Sequence, residues 1–102
     1  MAQRIADACG AVLDSRPQGI WVKIRMIPEE HYAENGGATD GVLPVLVSVL
    51  QAEVPDQSRL EKQASDLAGA VASACKRPVE NVHIIFEPPD AGRIAFGGKP
   101  GT

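Results

Sequence analysis

Apolar residues recur along the chain with two different spacings, and each spacing predicts a type of secondary structure. In residues 2–14 and 58–76 they fall three or four positions apart, which is typical of one face of an α-helix. These apolar residues are Ile5, Cys9, Val12 and Leu13 in the first segment and Leu60, Ala64, Leu67, Val71 and Ala74 in the second. Two helices are therefore predicted.

Other segments have the spacing of β-strands. Residues 44–51 form a β-branched, apolar run that begins at a proline, which predicts a buried strand. Residues 81–87 alternate and predict a second strand. Val82, Ile84 and Phe86 lie on one face of that strand, and His83 and Ile85 lie on the other.

Residues 20–26 alternate in the same way and predict a half-buried strand. Its apolar face carries Ile20, Val22, Ile24 and Met26, and its other face carries Trp21, Lys23 and Arg25. The second face is either a cationic, aromatic-lined binding surface or a solvated or interface-paired strand face.

Short motifs mark where the elements end. Asp56 or Ser58 is predicted to cap the second helix, and Ser58 with Glu61 three residues later fits a capping box. Asn35-Gly36 predicts a tight turn, residues 38–43 a short linker, and residues 92–98 a terminal hairpin.

The same motifs recur in both halves of the chain. Arg16-Pro17 reappears as Arg77-Pro78, and Gly36-Gly37 reappears as Gly97-Gly98, both 61 residues further on. Each half runs helix, Arg-Pro, strand, proline, Gly-Gly. We therefore predict one domain, residues 1–102, made of two fused copies of one module: residues 1–43 form a partial module without its first strand, and residues 44–102 form a complete β-α-β module.

The amino-acid composition argues against some classes of function. With 44% hydrophobic and 23% charged residues the chain is typical of a globular protein. A net charge of −3 without a basic stripe argues against nucleic-acid binding. No apolar run is long enough to span a bilayer, and the first residues lack a signal-peptide pattern, which favours a cytoplasmic location without membrane partners.

Metal and cofactor chemistry has no signature in the sequence. Cys9 and Cys75 have no metal-type spacing, and free buried thiols are favoured over a disulfide. The chain has no metal cluster, phosphate loop or nucleophile motif. No cofactor is predicted.

Taken in order, these features resemble the tautomerase superfamily, and specifically the 4-oxalocrotonate tautomerase group with its fused, two-module members. The resemblance covers essentially the whole chain. It rests on residues 44–49 (Pro-Val-Leu-Val-Ser-Val), the helix at 58–76, Arg77-Pro78, the strand at 82–86 and the closing Phe96-Gly97-Gly98. It implies an α/β fold in which a duplicated β-α-β module forms a sheet backed by two helices, and a trimer of such units.

The resemblance also implies a chemistry, namely keto-enol proton transfer on a small carboxylate-bearing unsaturated acid. The family's base is an N-terminal proline, because a secondary amine in a low-dielectric pocket near cationic groups has its pKa lowered towards neutrality. Arginines bind the substrate carboxylate and stabilise the enolate.

Several positions depart from the family pattern. Pro44 occupies the proline position, but its nitrogen is an amide bonded to Leu43, and removal of Met1 would expose the primary amine of Ala2. The family's strand arginine corresponds to His83, and to Trp21 in the first half. The remaining departures are Val54, near the position of a loop arginine, and Ile94, near that of a closing aromatic residue.

The candidate site therefore combines Pro44, as the doubtful catalytic position, with possible substrate-binding side chains. These are Trp21, Arg25, Tyr32, His83 and Arg93. Each has a plain structural alternative as a turn, surface or interface residue.

The missing first strand has a physical consequence. It would leave residues 44–51 with an unpaired apolar edge, which proteins normally avoid. We expect another chain or a rearranged segment to cover that edge; the alternative is a proline-led strand encoded upstream of Met1.

Two functions are consistent with these residues. The first is a tautomerase-like isomerase. The second is a non-catalytic tautomerase-fold protein that lacks the proline base and serves in binding or assembly.

Overall fold

The computed structural model describes residues 1–37 and 43–100. Helix α1 and strand β1 come first, and helix α2 and strand β2 follow. Their bounds are Ala2–Val12 for α1, Val45–Val49 for β1, Gln57–Cys75 for α2 and Val82–Phe86 for β2. A terminal hairpin of β3 (Ala95–Phe96) and β4 (Lys99–Pro100) completes the described elements, with short 3-10 turns at Glu29–His31 and Val79–Asn81.

Strands β1 and β2 form a parallel sheet, with Val45 opposite Val82 and Val49 opposite Phe86. Parallel strands need a crossover, and α2 supplies it. The valines of β1 and the apolar face of β2 pack with Leu67 and Val71 of α2 in the hydrophobic core. The predicted α/β fold, a sheet backed by two helices, is confirmed.

The apolar stripes of the two helices bring α1 against α2. Cys9 is buried in the core beside Leu67 and Val71, and Ile5, Val12 and Leu13 pack around it. Burial, and to a lesser extent the nearby Cys75, raises the pKa of the Cys9 thiol. Both cysteines carry free thiols.

The second helix begins at a carboxylate cap. The N–H of Arg59 donates to Oδ1 of Asp56 at 3.0 Å, so Asp56 is the N-cap. The Ser58–Glu61 capping box is wrong, because Ser58 lies inside the helix and its hydroxyl donates to Asp56 at 3.1 Å. Glu61 accepts instead from Gln57 at 3.3 Å.

The predicted strand at residues 20–26 is wrong. Ile20 and Val22 are half-buried, but the segment belongs to no strand, and Met26 is 91% exposed. A strand exists only when its N–H and C=O groups pair with a neighbour. Within the described residues no neighbouring strand lies beside this segment.

The predicted turns form where glycine permits them. Gly37 N–H donates to the carbonyl of Glu34 at 3.0 Å, and Gly36 has φ 85°. In the terminal hairpin Phe96 pairs with Lys99, so Gly97 and Gly98 form a two-residue turn, both with positive φ. Most of the predicted linker, residues 38–42, lies outside the described residues.

Candidate functional site

The candidate site lies where β1 and β2 begin. Pro44 is half-buried and precedes Val45, the first residue of β1. Nη1 of Arg77 donates to the carbonyl oxygen of Leu43 at 2.8 Å. Because the strands are parallel, the segment before β2 lies beside the segment before β1, and a guanidinium is thereby held at the peptide bond of Pro44.

The end of α2 positions Arg77. Lys76 adopts the left-handed conformation (φ 56°, ψ 46°), and its N–H reaches the carbonyl of Ser73 at 3.4 Å. The N–H of Arg77 donates to the carbonyl of Ala72 at 3.0 Å. These two bonds form a Schellman motif, which turns the chain sharply after the helix. Pro78 then prevents the helix from continuing.

We call the side of the β1–β2 sheet that faces away from α2 the open face. Leu46 and His83 lie on this face directly opposite each other, and both are exposed. Ile85 follows His83 on the same face. By strand alternation Pro44 belongs to this face too, so Pro44 and His83 are the two predicted site residues that the sheet brings to one end.

Trp21 is placed by a different contact. Its ring packs edge-to-face against Phe96 of the terminal hairpin, with centroids 5.6 Å apart and an angle of 77°. Its Nε1–H donates to the carbonyl of Gln18 at 3.1 Å. Trp21 therefore ties residues 20–26 to the hairpin, while Arg25 is exposed.

Tyr32 and Arg93 lie in turns. The Tyr32 hydroxyl donates to Oε2 of Glu34 at 2.7 Å. This hydrogen bond, with burial and the charge of Glu34 as smaller causes, raises the pKa of the phenol. Arg93 is exposed, and its N–H donates to the carbonyl of Asp90 at 2.7 Å. Tyr32 and Arg93 thus make these hydrogen bonds with sequence neighbours and not with Pro44.

Two grooves lie on the helices. One, of about 660 Å³, lies between α1 and the segment that follows it; the other, of about 370 Å³, lies between α1 and α2. Neither is lined by any of the six predicted site residues. In the described part of the chain no group of side chains has a metal-binding arrangement, and no helix there is long and apolar enough to cross a membrane.

Arg77 is the site residue that sequence reasoning missed. In the sequence the repeated Arg-Pro motif marks the two copies of the module, and it does not predict a contact with the residue before Pro44. The motif nevertheless indicates that such a contact is possible, because an arginine at a helix end can reach carbonyl groups beyond the helix. Only the parallel register of β1 and β2 places that carbonyl within reach.

Comparison of the sequence with protein-family models and with curated proteins finds no match. The structure, in contrast, matches a solved structure described as native fused 4-OT, with a TM-score of 0.70 and 19% sequence identity. The match covers 97% of this chain and 80% of that chain. At this identity the likeness establishes the fold alone. The chain therefore has the fold of fused 4-OT, as its sequence resemblance predicted.

Proposed function

We propose that this chain is a tautomerase-fold assembly protein, and that Pro44 does not act as a catalytic base. The observation that carries the proposal is the Leu43–Pro44 peptide bond, whose carbonyl accepts the hydrogen bond from Arg77. The lone pair of an amide nitrogen is delocalised into its carbonyl, and a donor on the carbonyl oxygen favours that delocalisation. Pro44 nitrogen therefore has no basicity with which to take a proton from a carbon acid.

The surroundings of Pro44 also favour assembly over catalysis. A general base works best in a pocket that excludes water and positions the substrate. Here His83 and Leu46 are exposed on the open face, and neither of the two grooves on the helices is lined by Pro44 or His83. An exposed apolar sheet face is typical of a surface that another protein covers.

The proposal is tested with the full chain and two enol substrates, phenylenolpyruvate and 2-hydroxymuconate. We expect ketonisation no faster than in buffer. Pro44→Ala should change nothing, and Arg77→Ala tests whether the guanidinium contributes any rate. Turnover by the wild-type chain that disappears in the Pro44→Ala variant, with the fold intact by circular dichroism, would contradict the proposal.

The second candidate is a tautomerase-like isomerase for a small carboxylate-bearing unsaturated acid. His83 favours it, because this imidazole is exposed on the open face near Pro44 and histidine is the side chain most often used as a general base. In this alternative Arg77 binds the carboxylate. It predicts turnover that His83→Ala abolishes, while Pro44→Ala retains it.

A further inference from the structure

The smaller of the two grooves on the helices has a cationic rim and an apolar floor. It lies between α1 and α2 and has a volume of about 370 Å³, at the low end of the range for small-molecule sites. Its rim carries Arg4 of α1 together with Ser73 and Lys76 at the end of α2. Its floor is formed by half-buried alanines, namely Ala8, Ala70 and Ala74. Among the described residues, no acidic side chain lines this groove.

The two cations of the rim have no partner in the part of the chain that the structure describes. Arg4 and Lys76 are exposed, and neither side chain makes a hydrogen bond or an ion pair there. The nearest acidic residue on α1, Asp7, accepts a hydrogen bond from Gln3 at 3.0 Å. The nearest acidic residue on α2, Asp66, pairs with a lysine of its own helix at 2.6 Å. Two positive charges are therefore left uncompensated at one groove of a chain whose net charge is −3.

We propose that this groove binds a small organic anion, namely a carboxylate carried on a short aliphatic body. The guanidinium of Arg4 can donate two parallel N–H···O bonds to a carboxylate. The ammonium of Lys76 adds a second positive charge, and the hydroxyl of Ser73 is a further donor. The aliphatic body lies on the alanine floor, where apolar surface of both the ligand and the groove is removed from water.

The rim and the floor together select this class of ligand. The charge of the rim repels a cation. An inorganic anion such as phosphate gains the attraction of the rim alone, and attraction between exposed charges is weak in water and screened by salt. The methyl groups of the floor offer phosphate oxygens no hydrogen-bond donor. A carboxylate with an aliphatic body uses both parts of the groove.

The site is separate from the surface to which we assign the assembly function. The residues that line the groove belong to α1 and α2 or directly follow α2. The open face, in contrast, is the side of the sheet that faces away from α2. A ligand in the groove therefore does not compete with a protein that covers the open face, and the two proposals are tested independently.

The first measurement is a titration of the isotope-labelled full chain with sodium hexanoate, followed through the amide signals in NMR spectra. We expect saturable shifts at Ala8, Ala70 and Ala74, with a dissociation constant on the order of 1 mM, because the ligand is small and the groove is open. The binding should weaken as salt is added. Shifts that remain linear up to about 20 mM ligand, or saturable shifts confined to other residues, overturn the proposal.

Three further probes separate charge from apolar contact. Acetate and inorganic phosphate carry negative charge without the aliphatic body, and we expect each to bind at least about 10-fold more weakly than hexanoate. Hexylamine carries the same body with the opposite charge and should cause no saturable shift. If phosphate binds as tightly as hexanoate, the groove attracts anions by charge alone. If hexylamine does so, apolar contact alone is responsible. Either result overturns the proposal.

The rim is tested by Arg4→Gln and by Lys76→Gln, which change exposed side chains. We expect each variant to raise the dissociation constant of hexanoate at least about 5-fold, through the loss of one charge. Arg59→Gln is the matched control, because it removes the same charge from an exposed position of α2 outside the groove and should leave the constant within about 2-fold. If Arg59→Gln weakened binding as much as the rim variants, net charge would be the cause and the proposal would be overturned.

The floor is tested by Ala70→Leu, which occupies the groove and leaves both cations in place. We expect hexanoate affinity to fall at least about 10-fold. Ser65→Leu, which adds the same side chain at an exposed position of α2 outside the groove, should bind as the wild type does. Circular dichroism shows whether each variant keeps its fold. A folded Ala70→Leu chain with wild-type affinity overturns the proposal, and if that variant does not fold, the rim variants decide.

Discussion

The two halves of the chain have the same order of motifs and reach different structures. In residues 43–100 a strand, a helix and a second strand close into a β-α-β unit, and Phe86 at the end of β2 is half-buried. In residues 2–37 a helix precedes an equally alternating segment, yet Met26 at the end of that segment is almost fully exposed. Alternation of apolar and polar residues therefore indicates that a segment can form a strand. Whether the strand forms depends on a neighbouring strand with which it can pair.

The two helices differ at their N-termini and agree at their C-termini. Helix α2 begins at the Asp56 cap, whereas the N-terminus of α1 has no side-chain cap. Both helices end in a Schellman motif: in α1 Asp14 has φ 51°, and the N–H groups of Asp14 and Ser15 donate to the carbonyls of Ala11 and Gly10. The start of α2 is thus fixed by a local hydrogen bond, whereas the start of α1 depends on the packing of α1 against α2.

The two halves should differ most in how much stability is lost when a core side chain is shortened. Leu67→Ala removes a side chain that is 1% exposed, and we expect it to lower the free energy of unfolding by about 3 kcal/mol. Ile24→Ala, in the unpaired segment, should lower it by less than about 1 kcal/mol, since that side chain is 42% exposed. Urea unfolding measures both. Equal losses would show that residues 20–26 are as well packed as α2.

The repeated Arg-Pro motif provides a matched pair of mutations, and their expected effects on stability are of intermediate size. Arg77→Ala removes the hydrogen bond to Leu43 and should cost about 1 kcal/mol, with faster amide exchange at Val45. Arg16→Ala changes an exposed side chain at the equivalent position of the first half and should change stability by less than about 0.5 kcal/mol. A larger effect at Arg16 than at Arg77 would reverse the comparison of the two halves.

The smallest effect concerns the cap of α2. The hydrogen bond from the Arg59 N–H, with a further one from Ser58, lowers the pKa of Asp56. Because the pKa is lower in the folded state, the stabilisation is present above the ordinary carboxyl pKa and is lost as the pH falls through the folded value. Asp56→Asn retains an acceptor without a charge, so the stability of this variant should depend less on pH between about pH 5 and pH 2. Thermal unfolding measured across that pH range checks the difference. Asp66→Asn, which changes an exposed carboxylate elsewhere on α2, is the control. If the stability of the wild type and of Asp56→Asn changed in parallel with pH, the prediction would be contradicted.

The local spacing of apolar residues and glycines was sufficient to predict much of the fold. The stripes of both helices, the faces of β1 and β2 and the two glycine turns follow from residue spacing and glycine conformation, which act within a few residues. The site was less predictable. Pro44 and His83 lie at the same end of the sheet because β1 and β2 are parallel. Trp21 instead contacts Phe96 and Tyr32 contacts Glu34, and the sequence pattern does not indicate Arg77 as part of the site.

The sequence by itself determined which segments are amphipathic, where they end, and that the nitrogen of Pro44 is an amide. These properties are carried by covalent bonds and by neighbours close in the chain. Only the tertiary structure decided that residues 20–26 pair with no strand among the described residues, that Arg77 reaches Leu43, and that β1 pairs there with β2 alone. Each of these depends on whether a backbone group meets a partner distant in sequence, and that is set by how the two helices and the parallel strands pack together.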